Sequence, residues 1–329
     1  ELEVEVNALM GDYTTDTIGM LALNRPMDSI SCGTNSAFQA TIKMLLEAWT
    51  YFTFNPPILW ATRPAQVRQY KKGLEEMRNL EMESVRLARS DFEAGVKRSD
   101  FVSQLVQAQA EDKAANESAE AGTREGQKDK YSDEFIRQDL REMLLGGSDT
   151  TSNLLVFILY YLAKYPELQD RMRRELAGVV DCKEGEELRQ TLLNDTPYTT
   201  AFIKEVSRLN FAIPLNYRGA SEDCFVDGYF FPKGCNVFLF FSQGARDPDF
   251  VDCPTEFDPE RWLARDPAQV AKANFVSYTF GSGQRACPGQ LLAWTQMRTL
   301  LAHVIPKAQV SLCSKGQTLQ TKYAIANHV

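Results

Sequence analysis

Apolar residues recur at helical spacing along most of the first two thirds of the chain. The longest periodic stretch has Ser132 or Asp133 to cap its start and is expected to form a long central helix. Pro166 suits the first turn of the helix that follows it. The spacing predicts helices over residues 36–55, 64–95, 132–164, from Pro166 onward, 201–209 and 290–304.

The pattern changes after Pro214 to short segments separated by turns. Residues 225–230 predict a hairpin that turns at Asp227-Gly228, and residues 236–241 predict a strand. The stretch 111–130 is polar and nearly free of apolar side chains, so it is expected to be a mobile, solvated loop. These patterns predict a mainly α protein with a small β-sheet region, organised as one domain over residues 1–329.

The amino-acid composition limits the kinds of functional site that the chain can form. The chain has 329 residues, of which 44% are hydrophobic, and its net charge of -8 gives no indication of nucleic-acid binding. Its seven cysteines form no Cys-x-x-Cys pair, so a zinc site or a disulfide framework is not expected. The only histidines are His303 and His328, which excludes a histidine-rich metal site. Redox chemistry therefore has to use sulfur, carboxylates or a bound cofactor.

The run of residues 280–289 carries the most chemical information. It reads Phe-x-x-Gly-x-Arg-x-Cys-x-Gly, with Cys287 just before a predicted helix and Arg285 two residues earlier. A thiolate at this place benefits from the positive end of the helix dipole, and the glycines let the backbone approach a flat ligand closely. The alternative for a single cysteine is a small buried hydrophobe.

The long helix contains Gly146-Gly147-Ser148-Asp149-Thr150-Thr151 near its middle. Two glycines inside a helix cost roughly 1 kcal/mol each relative to alanine, which indicates a need for space or a local distortion. Asp149 and Thr150 then offer a carboxylate and a hydroxyl beside that gap. The alternative is a kinked core helix whose threonine bonds the preceding turn.

A third pattern pairs Glu205 with Arg208 on one helix face, about fifty residues before Phe257-Asp258-Pro259-Glu260-Arg261-Trp262. Taken alone, a Glu-x-x-Arg pair is most often an exposed ion pair of little value.

Taken together, the three motifs resemble those of the cytochrome P450 family, in the family's usual order. The resemblance implies a haem b cofactor with Cys287 as the axial iron ligand. Further haem-binding roles fall on the loop residues Arg285, Phe280, Gly283 and Gly289 and, before the hairpin, on Arg218, whose alternative is a surface arginine. Glu205, Arg208 and Arg261 match an ion network that supports folding and haem retention, with Trp262 replacing the usual Phe.

The resemblance also implies an activity. Thr150 would hydrogen-bond dioxygen and Asp149 would help to deliver protons, so the chain resembles a monooxygenase that acts on an apolar organic substrate. Electrons would come from NADPH through a separate reductase, since the chain has no Gly-x-Gly-x-x-Gly fingerprint. The alternatives are a haem-thiolate isomerase, dehydratase or peroxygenase that needs no reductase, or an inactive truncated haem-binding relative.

The motifs all lie between residues 146 and 289, and the family's opening third has no counterpart here. The chain is therefore expected to be an N-terminally incomplete catalytic domain. The whole protein is expected on the endoplasmic reticulum membrane, at its cytosolic face. An apolar group near residue 55 is expected either to touch a membrane surface or to form a buried cluster; it comprises Phe52, Phe54, Ile58, Leu59 and Trp60.

Overall fold

The computed structural model describes residues 2–328 except 33–36, 119–130, 264–265, 315, 320–321 and 324–326. Its described residues group into two compact units. One unit covers Val4–Ser152, and the other covers Asn153–Val329 with the first residues of the chain. The boundary falls inside one long helix, which contributes to both units.

In the described part of the N-terminal unit, all regular secondary structure is helical. Its helices are α1 (Val6–Leu23), α2 (Ser29–Cys32), α3 (Ala37–Phe54), α4 (Pro57–Trp60), α5 (Pro64–Glu93), α6 (Phe101–Ser118) and the first part of α7 (Asp133–Lys164). Buried apolar side chains from α1, α5, α6 and α7 form its core, among them Ile18, Val85, Val102, Leu140 and Leu144. The expected long central helix of residues 132–164 is therefore present as α7. Ser132 caps its start, because its Oγ accepts a hydrogen bond from the amide of Phe135 at 3.2 Å.

Helix α6 corrects the expectation of a loop over residues 111–130. Residues 111–118 continue α6, and residues 119–130 lie outside the described residues. The segment is rich in Ala, Glu and Lys, which are strong helix formers, so a lack of larger apolar side chains did not require a loop. Gln109 of α6 donates to Asp133 of α7 at 3.0 Å, and Arg89 of α5 donates to both side chains.

The C-terminal unit combines helices with short antiparallel strands. Its helices after α7 are α8 (Pro166–Leu176), α9 (Val179–Cys182), α10 (Gly185–Asn194), α11 (Pro197–Leu209), α12 (Phe241–Gly244), α13 (Pro267–Phe275) and α14 (Gln290–Val304). Its strands are β1 (Leu215–Gly219), β2 (Cys224–Val226), β3 (Tyr229–Phe231), β4 (Asn236–Phe240), β5 (Lys322–Tyr323) and β6 (Asn327–His328). In the described part of this unit they pair as β1 with β4, β2 with β3 and β5 with β6.

The predicted hairpin is confirmed as β2 and β3. Cys224 pairs with Phe231 and Val226 with Tyr229, which leaves Asp227 and Gly228 as the turn. Both turn residues have positive φ, 48° and 80°, as a two-residue hairpin of matching twist requires.

Aromatic rings hold the end of α7 against α11 in the core of the C-terminal unit. Phe257 lies 4.2 Å from Tyr161, 5.5 Å from Tyr165 and 5.2 Å from Phe202, measured between ring centroids. Offset and edge-to-face pairs of this kind stabilise a core beyond their buried area. Through the described chain, no helix combines the length and the apolar character needed to cross a bilayer.

Candidate active site

The loop that carries Cys287 is closed by its own backbone. The amide of Cys287 donates to the carbonyl of Phe280 at 2.8 Å, and Ala286 donates to the carbonyl of Gly283 at 3.1 Å. Residues Gly283–Arg285 form a single 3-10 turn. Gly283 has a φ of 67°, a left-handed conformation that strains other residues, so the sequence needs glycine at this turn.

The sulfur of Cys287 lies at an accessible place between this loop and α14. Cys287 is exposed, and α14 begins three residues later at Gln290. A side chain at position 289 would place its Cβ 3.8 Å from the sulfur, so Gly289 keeps the space beside Sγ clear. An exposed sulfur with a bare glycine at its side fits the approach of a flat, metal-bearing ring such as haem.

Two other residues of the loop differ in their surroundings. Phe280 is half-buried and lies 5.9 Å from the ring of Trp294 on α14. Arg285 is exposed, and within the described part of the chain it forms no hydrogen bond or salt bridge. Phe280 is thus fixed by packing, whereas the guanidinium of Arg285 is available to an anionic group.

Arg218 lies in β1, opposite Val237 of β4. Its Nη1 donates to the carbonyl of Tyr217 at 2.9 Å and to Oδ1 of Asn216 at 3.2 Å. The side chain is exposed, and among the described residues its hydrogen bonds are confined to its own strand.

Glu205, Arg208 and Arg261 come together in the interior of the C-terminal unit, where Glu205 and Arg208 are fully buried. Arg208 donates to both carboxylate oxygens of Glu205, at 2.8 and 2.9 Å, and Arg261 donates to Oε1 at 2.9 Å. Burial alone would raise the pKa of Glu205. The hydrogen bonds and charge of Arg208, with a backbone bond and the charge of Arg261, outweigh burial and hold that pKa below its ordinary value.

The two arginines also organise a loop that has no regular structure of its own. Arg208 donates to the carbonyls of Ala245, Pro254 and Glu256, at 2.6 to 3.1 Å. Arg261 donates to the carbonyl of Asp252 at 2.8 Å. The network therefore satisfies backbone acceptors as well as its own charges.

Sequence reasoning missed the part that Trp262 plays in this network. Its indole Nε1 donates to Oε2 of Glu205 at 2.9 Å, which a phenylalanine at this position does not do. The signal was available, because indole is a donor that seeks a partner when it is buried.

Asp149 and Thr150 lie on α7 within the N-terminal unit. The hydroxyl of Thr150 donates to the carbonyl of Gly146 at 2.7 Å, and Asp149 is 5% exposed. Helix α7 continues without interruption through this segment. The hydroxyl thus makes the bond to the preceding turn that the structural alternative required, and no widening of the helix accompanies it.

The two glycines of this segment meet different surroundings. A Cβ at Gly147 would lie 2.6 Å from Cδ1 of Ile18, so α1 packs against α7 at this point. A Cβ at Gly146 would meet nothing within 4 Å. Only Gly147 is thus explained by packing within the unit, and open space remains beside Gly146.

A second buried ion triad was not foreseen. Glu81 of α5 is fully buried and accepts hydrogen bonds from Arg137 and Arg141 of α7, each at 2.9 Å. The hydrogen bond with Glu134, opposed by burial and supported by the bond with Glu81, raises the pKa of Arg137. The two arginines lie four residues apart, hence on one helix face, so both can reach the same carboxylate.

A mainly helical fold that presents an exposed cysteine in a glycine-rich loop has the thiolate donor that the class of haem-thiolate proteins uses. Comparison with known sequences agrees. The sequence profile described as Cytochrome P450 matches residues 1–326, and the chain belongs to this family.

Named relatives support the same assignment. The chain is 36% identical over 183 residues to the mitochondrial 25-hydroxyvitamin D-1 alpha hydroxylase of Rattus norvegicus, a match that covers 56% of this chain and 36% of the relative. It is 35% identical over 184 residues to the mitochondrial sterol 26-hydroxylase of Homo sapiens, covering 55% of this chain and 34% of that protein. These matches span about a third of the relatives' length.

The fold is shared with the cytochrome P450DA heme domain. The crystal structure of that domain matches with a TM-score of 0.78 and 22% identity, and a mutant of it matches with a TM-score of 0.77. Each match covers 99% of this chain and 66% of the solved one.

The expected location on the endoplasmic reticulum is wrong. Several of the similar curated proteins are mitochondrial by name, including a probable cytochrome P450 12b2 of Drosophila melanogaster that is 34% identical over 178 residues. The expectation came from the commonest eukaryotic relatives and not from particular residues of the chain.

Proposed function

We propose that this chain is the catalytic part of a haem-thiolate monooxygenase that acts on an apolar organic substrate. The single observation that carries the proposal is the accessible sulfur of Cys287, placed between a closed glycine-rich loop and the start of α14. Membership of the cytochrome P450 family supports haem as the group that this sulfur binds.

The loop residues divide the work of holding the haem. Cys287 would supply the thiolate that holds the iron, and Arg285 would pair with an acidic group of the ring. Phe280, packed against Trp294, would limit the contact of the bound sulfur with water and so tune the metal. Gly283 permits the turn and Gly289 keeps space beside the sulfur. Arg218 is proposed as a second partner of an acidic group at the edge of the ring.

The chemistry that a haem supplies when bound is activation of dioxygen: one oxygen atom enters the substrate, and the other leaves as water with two electrons and two protons. Thr150 gives or accepts a hydrogen bond beside the open space at Gly146. Asp149 passes protons toward that place. The electrons come from NADPH through a separate electron-transfer protein.

Retention of Asp149 and Thr150 favours this activity over a rearrangement or dehydration that needs no electrons, because such reactions need no protons delivered to dioxygen. Names of relatives suggest the substrate class. Two of them act on a sterol and on a hydroxyvitamin D, so we propose a sterol-like substrate with an extended apolar body. Binding of cholesterol to the haem-loaded protein, followed as a change in the Soret band, tests this class.

Replacement of the proposed ligand tests the function directly. The whole protein is expressed, reduced under carbon monoxide and examined for the red-shifted Soret band of a thiolate-ligated haem. Cys287→Ser is expected to abolish that band. Cys313→Ser, which changes another exposed cysteine of the same unit, is the matched control and is expected to retain it. A Cys287→Ser protein that keeps the band contradicts the assignment.

We also propose that the whole protein is mitochondrial, as its named relatives are, and that it touches a membrane surface through α4. Ile58, Leu59 and Trp60 are exposed there, Ile58 by 78%. Exposed apolar side chains grouped in this way favour contact with another surface. Ile58→Glu is expected to weaken sedimentation with phosphatidylcholine–cardiolipin vesicles, whereas Leu87→Glu, at another exposed leucine, is not; equal binding of both variants contradicts the proposal.

A further inference from the structure

Arg298 of α14 is a buried cation that forms no ion pair with any described residue. The residue is 5% exposed, and no described group accepts a hydrogen bond from its Nε. Its Nη2 donates to the hydroxyl of Thr200 on α11 at 2.7 Å. Within the described chain, no acidic side chain lies within salt-bridge distance of it. Burial, partly offset by the charge of Glu175, lowers the pKa of Arg298 to about 10, so it still carries its charge at neutral pH.

The neighbouring charges compensate this cation only in part. Glu175 accepts three hydrogen bonds at the start of α11, from the amides of Tyr198 and Thr199 and from the Thr199 hydroxyl, at 2.6 to 2.7 Å. Lys204 of α11 is a second cation nearby, and burial together with the charge of Arg298 lowers its pKa. This region of the unit therefore has an excess of positive charge.

The contrast with the other buried arginines is informative. Arg208 and Arg261 share the carboxylate of Glu205, whereas Arg298 has a hydroxyl and an aromatic ring. A buried charge without a counter-ion costs several kcal/mol, so such a residue needs a compensating role.

A short series of contacts joins Arg298 to the cysteine loop. Its guanidinium lies 4.6 Å from the ring centroid of Trp294, and Trp294 lies 5.9 Å from the ring of Phe280. The carbonyl of Phe280 in turn accepts the amide hydrogen bond of Cys287 at 2.8 Å. Arg298 is thus packed behind the residues that shape the surroundings of the sulfur.

We propose that Arg298 is a positioning residue whose buried charge favours the ferrous state of the haem iron bound at Cys287. The inference rests on the proposed function, since it requires that Cys287 bind the haem. When one electron from the donor protein is added to the ferric iron, the charge of the site falls by one. A fixed positive charge nearby therefore favours the reduced state.

Helix geometry sets the size of the effect. Arg298 lies eight residues beyond Gln290, which is about 12 Å along α14. As a scale, a unit charge about 12 Å from the added electron, with an effective dielectric constant of about 20, changes the equilibrium of a one-electron reduction about tenfold. A tenfold change is about 59 mV for one electron.

The experiment is a redox titration of the whole haem-loaded protein and its variants. Arg298→Gln is expected to lower the midpoint potential by about 59 mV, which corresponds to a tenfold change in the reduction equilibrium. Arg298→Lys retains the charge and is expected to keep most of the original potential. Thr200→Asp gives Arg298 a counter-ion and is expected to lower the potential without removing the arginine. Lys272→Gln removes an exposed cation of the same unit and is the control. The shift caused by Arg298→Gln is expected to persist at high salt, since buried charges are screened little.

The outcomes separate the two proposals. If the unmodified protein shows no red-shifted carbon monoxide band, the proposed function itself is contradicted. A normal band with potentials in Arg298→Gln and Thr200→Asp equal to that of Lys272→Gln overturns the role of Arg298 alone. If Arg298→Gln does not fold, Thr200→Asp and Arg298→Lys decide the question, and an unchanged potential in Thr200→Asp overturns the proposal.

Discussion

Substitution of Glu205 by glutamine should damage the C-terminal unit more than any other conservative change of a single charge. The carboxylate accepts five hydrogen bonds, two from Arg208 and one each from Arg261, Trp262 and the amide of Asp258. Glutamine keeps the volume but removes the negative charge. Two buried guanidinium groups then remain without a counter-ion.

The expected loss follows from the penalty for stranding a buried charge. Removing one partner of a buried ion pair costs about 3–5 kcal/mol. A domain is typically stable by only about 5–15 kcal/mol, so Glu205→Gln should lose a large share of its stability. Trp262→Phe removes one bond to a charged acceptor and strands nothing, so it should cost less, roughly 1.5–3 kcal/mol.

The assay is urea unfolding of the whole protein, followed by far-UV circular dichroism and by the amplitude of the carbon monoxide band. Glu186→Gln is the matched control. Glu186 pairs with Arg189 at the same spacing of three residues, but Glu186 is exposed and Arg189 is only partly buried, so no measurable change is expected. A loss below about 1 kcal/mol in Glu205→Gln refutes the stranded-charge argument, and so does a larger loss in Trp262→Phe.

Three further outcomes follow from the structure. Gly147→Ala should destabilise the protein by about 1–3 kcal/mol, because its Cβ meets Ile18, whereas Gly146→Ala should stabilise it by up to about 1 kcal/mol; thermal unfolding compares them, and equal effects contradict the packing argument. Thr150→Ala should leave thermal stability nearly unchanged but release reduced oxygen species without product in the haem-loaded enzyme, and unchanged coupling counts against the role of this hydroxyl. Because the pKa of Glu205 is below its ordinary value of 4.5, its stabilisation is complete above about that pH and is lost as pH falls through the lowered pKa; Glu205→Gln should remove this part of the acid sensitivity, and identical acid unfolding curves contradict it.

Contiguous motifs were the part of the site that the sequence could predict. The loop of residues 280–289 needs glycine, arginine and cysteine at fixed spacing, so its pattern can be recognised in the linear sequence. Glu205 and Arg261, 56 residues apart, were paired only because each lies in a motif. Residues that lie outside a motif had no such signal, as the buried surroundings of Arg298 illustrate.

Long-range contacts and the extent of polar helices could not be predicted from the sequence. Glu81 stands in a charge-dense stretch typical of a solvated helix face, yet it is fully buried between two arginines of α7. Residues 111–118 lack apolar side chains and nevertheless extend α6, because intrinsic propensity and the contacts of Gln109 with Asp133 decide their conformation. In both cases a partner distant in sequence determined the outcome.

The indole of Trp262 has a consequence for optical measurements. The chain has four tryptophans, and Trp262 is 8% exposed, whereas Trp49 and Trp60 are 47% and 36% exposed. An indole in water emits at longer wavelengths than one enclosed by protein, so Trp262 contributes to the blue side of the fluorescence spectrum. Opening of the ion network would expose this indole to water, so the emission of Trp262 is expected to move to longer wavelengths when the network is broken.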